Sequence, residues 1–317
     1  MSLAEYQRRF TLLNVNVSAG RRSPHKVCML LAVLDLARSG ALTTNEVRYD
    51  PALLVRYSRY FAAVQEPGNH PNAYFPFFHL SGRLRGGGAS FWHLVAQPGQ
   101  EVVLAHMTTA RSHGDISRVV SHAQLDEELF LLLQDPAHVE ALAATLAGHW
   151  FDRGLEDLAA VADVERRVSL YERGLRLGAS SGQPTPDPGE AIRSPAFRRV
   201  VIQAYDYRCA ASGVRVLLPD GIAMVEAAHI HAFSECADDD PRNGLALTPD
   251  MHWAMDNGLI APGPDYRWHV HPGLDDRVAD FAGLVRLKGR ELLLPKERRF
   301  YPKKEALEWR LERMRGV

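Results

Sequence analysis

From Gly178 to Gly189 the sequence reads GASSGQPTPDPG, and no other stretch constrains the fold as strongly. Glycine, serine and proline offer almost no apolar surface to set against the entropy of ordering the chain. The segment therefore reads as a linker, and the 317 residues divide in two. Each part is long enough to enclose its own core. The expected boundaries are a first domain over 1–175, a linker over 176–191 and a second domain over 192–317.

Composition excludes several classes. Hydrophobic residues make up 46% and charged residues 24% of the chain, an ordinary globular balance. Lys and Arg number 37 against 38 Asp and Glu, for a formal net charge of -1, so a nucleic-acid surface has to come from local segregation of charge. The three cysteines, Cys28, Cys209 and Cys236, contain no C-x-x-C pair, which excludes a four-cysteine zinc knuckle. Their odd number suits reduced thiols better than a disulfide framework. Met1 to Phe10 carries no apolar signal core and no apolar run is long enough to span a bilayer, so a cytoplasmic location with no membrane partner is expected.

In the first domain a short helix is expected around Ala4 to Asn14, then a turn carrying Arg21 and Arg22. Ser23-Pro24 reads as an N-cap with proline at the first helical position, opening an apolar helix over Lys26 to Arg38 that Gly40 ends. A helix over Pro51 to Val64 follows. Tyr74 to Leu80 and Ser90 to Val95, on either side of Gly86-Gly87-Gly88, read as strands. Leu125 to Asp135, Pro136 to Trp150 and Asp152 to Leu175 have helical spacing. The second domain opens with a helix over Pro195 to Tyr205. A hairpin-like stretch follows over Leu217 to Ile230, turning at Pro219-Asp220-Gly221. A loop over Ser234 to Gly244 leads to a helix over Pro249 to Asn257, closed by Gly258. The expected fold class is α+β: a mainly helical, mixed α/β N-terminal domain joined to a C-terminal ββα unit.

Four segments of the second domain carry chemistry: YDYRCAASG (Tyr205 to Gly213), EAAHI (Glu226 to Ile230), NGLAL (Asn243 to Leu247) and HWAMDNG (His252 to Gly258). His252 and Asp256 stand at i and i+4 and share one helix face. Imidazole with carboxylate suits Mg, Mn or Zn. His229 closes an apolar strand, an unusual place for a polar side chain without a task. Taken singly, each is an ordinary feature, a satisfied histidine or a solvated helix pair; their joint order and spacing make the case.

The arrangement resembles the HNH (ββα-metal) nuclease family, in particular the branch found in modification-dependent restriction enzymes, over about 60 residues. The resemblance implies that His229 is the general base that activates water. It implies that His252 and Asp256 bind a divalent metal (Mg or Mn, with Zn, Co or Ni as further options), and that Asn243 braces the loop and orients the base. Histidine near neutrality suits the base, and a cation would offset charge on the phosphate and the leaving 3′ oxygen. Three departures stand out. Ala228 occupies a position where many members place a metal ligand; Glu226 either supplies that carboxylate or is a structural hydrogen-bonding residue. Cys209 and Ser212 replace the zinc-binding C-x-x-C, which leaves the domain to rest on its apolar core. His231-Ala232 replaces the usual x-P after the base. His231 and Asn257 are second-rank site candidates. After Val285, Arg286, Lys288, Arg290, Lys296, Arg298, Arg299, Lys303 and Lys304 outnumber the acids, a stretch suited to phosphates or to a solvated face.

Two segments of the first domain suggest a reader: RRSPHK (Arg21 to Lys26), basic at a helix N-terminus, and NAYFPFFHLSG (Asn72 to Gly82), dense in aromatics. Read blandly, the second is a core strand. Together with Phe91-Trp92 they look like the sulfur-binding domain of phosphorothioate-dependent restriction enzymes, over about the first 170 residues. That resemblance implies a sulfur pocket made by Phe75, Pro76, His79, His25 and Lys26, with Tyr74 and Arg22 beside it. Sulfur is larger and less strongly hydrated than oxygen, so an apolar cup gains dispersion contacts with it and leaves an oxygen anion poorly solvated. The expected protein is thus a restriction endonuclease acting on phosphorothioate-modified double-stranded DNA, possible as a homodimer because one such site cuts one strand. Two alternatives stay open: an HNH nuclease reading a methylated or glucosylated base, and a DNA-binding sensor with a decayed nuclease.

Overall fold

A computed structural model describes residues 1–18, 21–65, 70–151, 155–181, 188–218 and 220–316. The chain forms two compact units, Met1–Leu170 with Pro219–Ile222, and Tyr171–Leu218 with Ala223–Val317. The architecture is mixed α and β, with long helices and two-stranded antiparallel sheets. No helix among the described residues is long and apolar enough to cross a membrane.

The first unit contains α1 (Leu3–Thr11), β1 (Val17–Ser18), β2 (Arg21–Arg22), α2 (His25–Arg38), α3 (Pro51–Ala63), α4 (Tyr74–His79), β3 (Trp92–Ala96), α5 (Glu101–His106), α6 (His113–Val119), β4 (Val120–Leu125), α7 (Glu127–Leu132) and α8 (Pro136–Trp150). The central helix is α2, buried on every face from Val27 to Arg38, as an apolar helix must be. It packs against α3, α4 and α8. Its two buried charges are paired: Arg38 binds Asp35 and, at 2.7 Å, Glu140, while the Tyr60 hydroxyl donates to Asp35 at 2.6 Å. Burial nevertheless pushes Asp35 up to about 6, against the pull of Arg38 and Tyr60. Asp50 and Pro51 open α3 as the cap and first-turn proline, and the Asp50 carboxylate accepts from the Leu53 N–H.

Several sequence expectations are corrected. Tyr74–His79 is a helix rather than a strand. Pro76 falls in its first turn, where its missing N–H has no helical partner to lose, and the alternating aromatics are sorted by core contact. β3 pairs with β4, so the region expected as helix from Leu125 begins with the last residue of a strand and turns helical only at Glu127. Ser23 does not cap α2; its hydroxyl meets His25 Nδ1 at 2.8 Å. Gly40 does follow that helix with φ +70°, the left-handed turn glycine permits. The polar helix expected from Asp152 is α9, Leu158–Ser181, and residues 152–154 lie outside the described set.

The second unit takes the end of α9, then α10 (Glu190–Ala204), β5 (Glu226–His229), α11 (Phe233–Cys236), β6 (Gly244–Leu247), α12 (Pro249–Asp256), β7 (Ile260–Pro262), β8 (Trp268–Val270), α13 (Ala282–Val285) and α14 (Lys304–Arg315). α10 starts five residues before Pro195 and carries that proline inside the helix. Its start also falls within the stretch read as linker, of which 182–187 lie outside the described residues. The hairpin expected over Leu217 to Ile230 reduces to one isolated bridge, Leu217 with Ala223; Pro219 of its turn is outside the described residues. β5 pairs instead with β6, in the register Glu226 with Leu247 through His229 with Gly244. The expected loop between them holds α11 and a 3-10 turn, Pro241–Asn243. Strand, strand and α12 thus form the ββα unit, with α10 packed on the two strands. Gly244 is required there, since a Cβ would lie 2.6 Å from Val201 Cγ2 and 2.8 Å from the Phe197 ring.

Cys209 ties the start of this unit together. The Ser212 and Thr248 N–H groups both donate to its sulfur at 3.4 Å. Burial alone would push the thiol up, but hydrogen bonds from Ser212 and Thr248 outweigh it and hold Cys209 below the ordinary thiol value. The domain does not rest on its apolar core alone: hydrogen bonds to sulfur close the knuckle.

Candidate functional site

β5 ends on His229, and three neighbours contact its ring. Phe197 of α10 stacks on it with centroids 4.0 Å apart and planes 1° from parallel. Phe233 lies at 5.6 Å. His229 Nε2 stands 2.9 Å from Asp239 Oδ1, and the His229 carbonyl accepts from Arg310 Nη2 at 2.9 Å. Asp239 is itself held by Arg193, whose Nη1 reaches the two carboxylate oxygens at 3.0 and 3.1 Å.

Asn243 is buried, and every one of its polar contacts goes to the loop that follows the strand. Its Oδ1 accepts from the His231 N–H at 2.8 Å, and its Nδ2 donates to the His231 and Asp238 carbonyls, each at 3.0 Å. The Ile230 N–H also donates to the Asn243 carbonyl at 2.9 Å. Asn243 therefore staples the backbone next to His229 and acts on that ring through the chain.

His252 is presented by α12, with Nδ1 3.0 Å from Glu226 Oε2 and Nε2 3.3 Å from Asp256 Oδ2. The two carboxylates sit at opposite edges of the ring. No group of three or more His, Cys, Asp or Glu among the described residues is disposed to hold a metal ion. The donor chemistry still fits a hard cation, since Mg takes one or two protein carboxylates and completes its shell with water and substrate phosphate. Each edge of His252 offers one such carboxylate beside a ring nitrogen, Glu226 at Nδ1 and Asp256 at Nε2.

Arg310, absent from the sequence reading, links the two halves of this site. Its guanidinium is buried and donates to the carbonyls of Ile230, His229 and Met255 at 2.5, 2.9 and 3.4 Å, with Asp256 Oδ1 3.6 Å away. The end of β5 and the last turn of α12 are thus clamped by one side chain. Each carbonyl left without its donor would cost about 1–3 kcal/mol. Arg310 sits in a helix of mostly charged residues, where local pattern marks it as surface. Asp239 is the middle of three consecutive aspartates, a run that reads as solvated.

The second-rank candidates have other partners. His231 stacks on Trp309 at 4.0 Å, and the Asn257 amide donates to the Trp253 carbonyl at 2.8 Å. In the basic tail, Lys303 is committed to Asp238 at 2.7 Å and Asp240 at 3.1 Å, while Arg286, Lys288, Arg290, Arg298 and Lys304 are exposed.

The first unit holds a separate pocket of about 290 Å³, lined by Asn14, Val15, Asn16, Ser23, His25, Lys26, Phe75, His79, Gly82 and Arg83. Four of the residues expected to form a sulfur pocket, His25, Lys26, Phe75 and His79, meet here from segments about 50 positions apart. Pro76 is buried inside α4 and is not part of the lining. Tyr74 faces His113, ring to ring at 5.2 Å, and Arg22 stands on β2 paired to Val17. Phe75 and His79 lie ring to ring at 4.3 Å, and His79 Nε2 meets the Thr109 hydroxyl at 3.0 Å. Burial lowers His25, Lys26 and His79, the last also through the charge of Lys26. Both imidazoles are therefore neutral at neutral pH, and the pocket offers a phenyl ring, two uncharged heterocycles and the cations Lys26 and Arg83. Asn14, Asn16 and Arg83 come from positions that carry no local signal.

Residues 209–261, which span the knuckle, both strands and α12, match the HNH endonuclease family. The chain carries an HNH endonuclease domain in its C-terminal part. No curated protein matches the chain. Among solved structures it is similar to a modification-dependent TagI restriction endonuclease, with 18% identity and a TM-score of 0.30 over 42% of this chain and 41% of that one. The match spans less than half of that protein's length.

Proposed function

We propose that the protein is a modification-dependent DNA endonuclease that binds phosphorothioate-modified double-stranded DNA through its first unit and hydrolyses nearby phosphodiester bonds with its HNH domain. The observation that carries the reading is the meeting of His25, Lys26, Phe75 and His79 in one pocket. A soft, weakly hydrated anion gains contact with uncharged rings while Lys26 and Arg83 balance its charge. In the second unit His229 takes the proton of the attacking water, and Asn243 and Arg310 hold the strand end that carries it. One ring nitrogen of His252 with the carboxylate on its edge, Glu226 at Nδ1 or Asp256 at Nε2, would bind a divalent cation, which would offset charge on the phosphate and the leaving oxygen.

The test is incubation of the full chain with phosphorothioated and ordinary plasmid of the same sequence, with Mg, Mn or a chelator. Cleavage of the modified plasmid alone, abolished by chelator, is expected. Equal cleavage of both plasmids removes the reader assignment, and no cleavage of either removes the nuclease.

Glu226 gives a sharper test of the cation site. Its side chain is 42% exposed, so Glu226→Gln should shift stability by no more than about 0.5 kcal/mol. The metal concentration for half-maximal cleavage should rise at least about tenfold. A lowered melting temperature with an unchanged metal requirement would make Glu226 a structural residue.

A further inference from the structure

We propose that Asp239 is the positioning residue of His229, fixing the neutral ring as the Nε2–H tautomer and leaving Nδ1 as the nitrogen that receives the proton of water. The inference rests on the reading of His229 as general base. An ionised carboxylate can only accept hydrogen bonds. With Asp239 Oδ1 2.9 Å from His229 Nε2, the proton has to be on Nε2; the other tautomer would set the nitrogen lone pair against the carboxylate oxygen.

The carboxylate is well placed to impose this choice. Its side chain is only 4% exposed, so water does not substitute for the histidine. Arg193 of α10 holds both oxygens, and the Tyr171 hydroxyl, from α9, donates to Oδ2 at 3.4 Å. Arg193 is in turn set by Phe233, with its guanidinium 3.6 Å above that ring. Among the described residues, the charged groups bonded to His229 are thus Asp239 at the ring edge, with Arg193 behind it, and Arg310 on its carbonyl. Phe197 fixes the ring plane while Asp239 fixes the rotation within it, so Nδ1 has a single direction.

In the reaction water gives its proton to Nδ1 and its oxygen bonds to phosphorus. The bond from phosphorus to the 3′ oxygen breaks with its electron pair, and that oxygen takes a proton from solvent. The imidazolium so formed keeps its Nε2–H on the Asp239 carboxylate, which stabilises the charge as it appears. The carboxylate orients and neutralises and takes no proton itself, the division of labour known for carboxylate–histidine pairs in hydrolases.

The experiment uses the full chain with Asp239→Asn. The amide keeps the shape and can turn its NH₂ toward Nε2, which permits the other tautomer. The kcat for cleavage should fall at least about tenfold with KM for DNA unchanged. In protein labelled on histidine, the His229 ring resonances, assigned through their loss in His229→Gln, should report Nε2–H in the parent chain and the Nδ1–H form in the variant. The proposal is overturned by an Nδ1–H ring in the parent chain, by full kcat in the variant, or by a loss of rate that tracks the folded fraction with the tautomer unchanged. The ring measurement needs no cleavage, so it decides the role of Asp239 even if the parent chain cuts no DNA, a result that would instead refute the nuclease reading.

Discussion

His229→Ala is expected to lower cleavage about 10²–10⁴-fold, the range in which a positioned general base contributes. The structure indicates that the loss should be chemical rather than architectural. The ring is an endpoint: it stacks on Phe197 and meets Asp239, but the strand beneath it is held by backbone atoms. Arg310 bonds to the carbonyls of residues 229 and 230, and Asn243 bonds to main-chain atoms of residue 231, and none of these contacts needs the imidazole. Asp239 keeps Arg193 as its partner. The stacking lost is worth about 0.5–1.5 kcal/mol, so the melting temperature should drop by only a few degrees and affinity for DNA should stay. His252→Ala should fail differently, through weakened metal binding, and excess metal should restore part of its rate. Single-turnover rates across a metal series separate the two. A His229→Ala protein that keeps more than a tenth of the parent rate would sink the assignment of the base.

The second large effect concerns choice of substrate. Phe75 is 38% exposed at the pocket beside His79, so Phe75→Ala removes a wall of the cup without emptying the core. The Phe75 ring face gives an oxygen anion no hydrogen bond, a cost of about 1–3 kcal/mol that the less strongly hydrated sulfur largely escapes. Loss of the ring should bring the ratio of dissociation constants for phosphate and phosphorothioate duplexes close to one. Weak, salt-sensitive binding should remain through the cations. Lys26→Ala should weaken both duplexes together and reduce the salt slope by about one unit. Binding titrations at several salt concentrations read both quantities. A parent chain that binds the two duplexes equally would make the pocket an ordinary surface cleft and hand selection to some other mark.

How much of this was legible depended on distance along the chain. His252 and Asp256 lie one helical turn apart, so local pattern could bring them forward, whereas the pairing of His229 with Gly244 crosses a loop and was not legible. α8 was readable because Asp135 and Pro136 mark its start and apolar residues recur at helical spacing. α4 was misread because YFPFFH is rich in aromatic residues, which locally favour a strand, although its proline argues against one; core contact by Phe77 and Phe78 accompanies the helix. Asp239, Arg193 and Arg310 matter only through partners 10 or more residues away, and a charged residue in a polar stretch looks the same whether it faces water or a buried carbonyl. Asn14, Asn16 and Arg83 joined the pocket for the same reason.

The knuckle at Cys209 has a practical consequence. A thiol gripped by two main-chain N–H groups staples this part of the fold through the chain's own hydrogen bonds. Chelators then become clean reagents for this protein: they should silence the chemistry and leave the scaffold standing, and adding metal back should start the reaction at once, with no refolding delay. Time-resolved cutting can be triggered in that way from DNA already loaded on the protein, with the order of binding and cleavage under the experimenter's control.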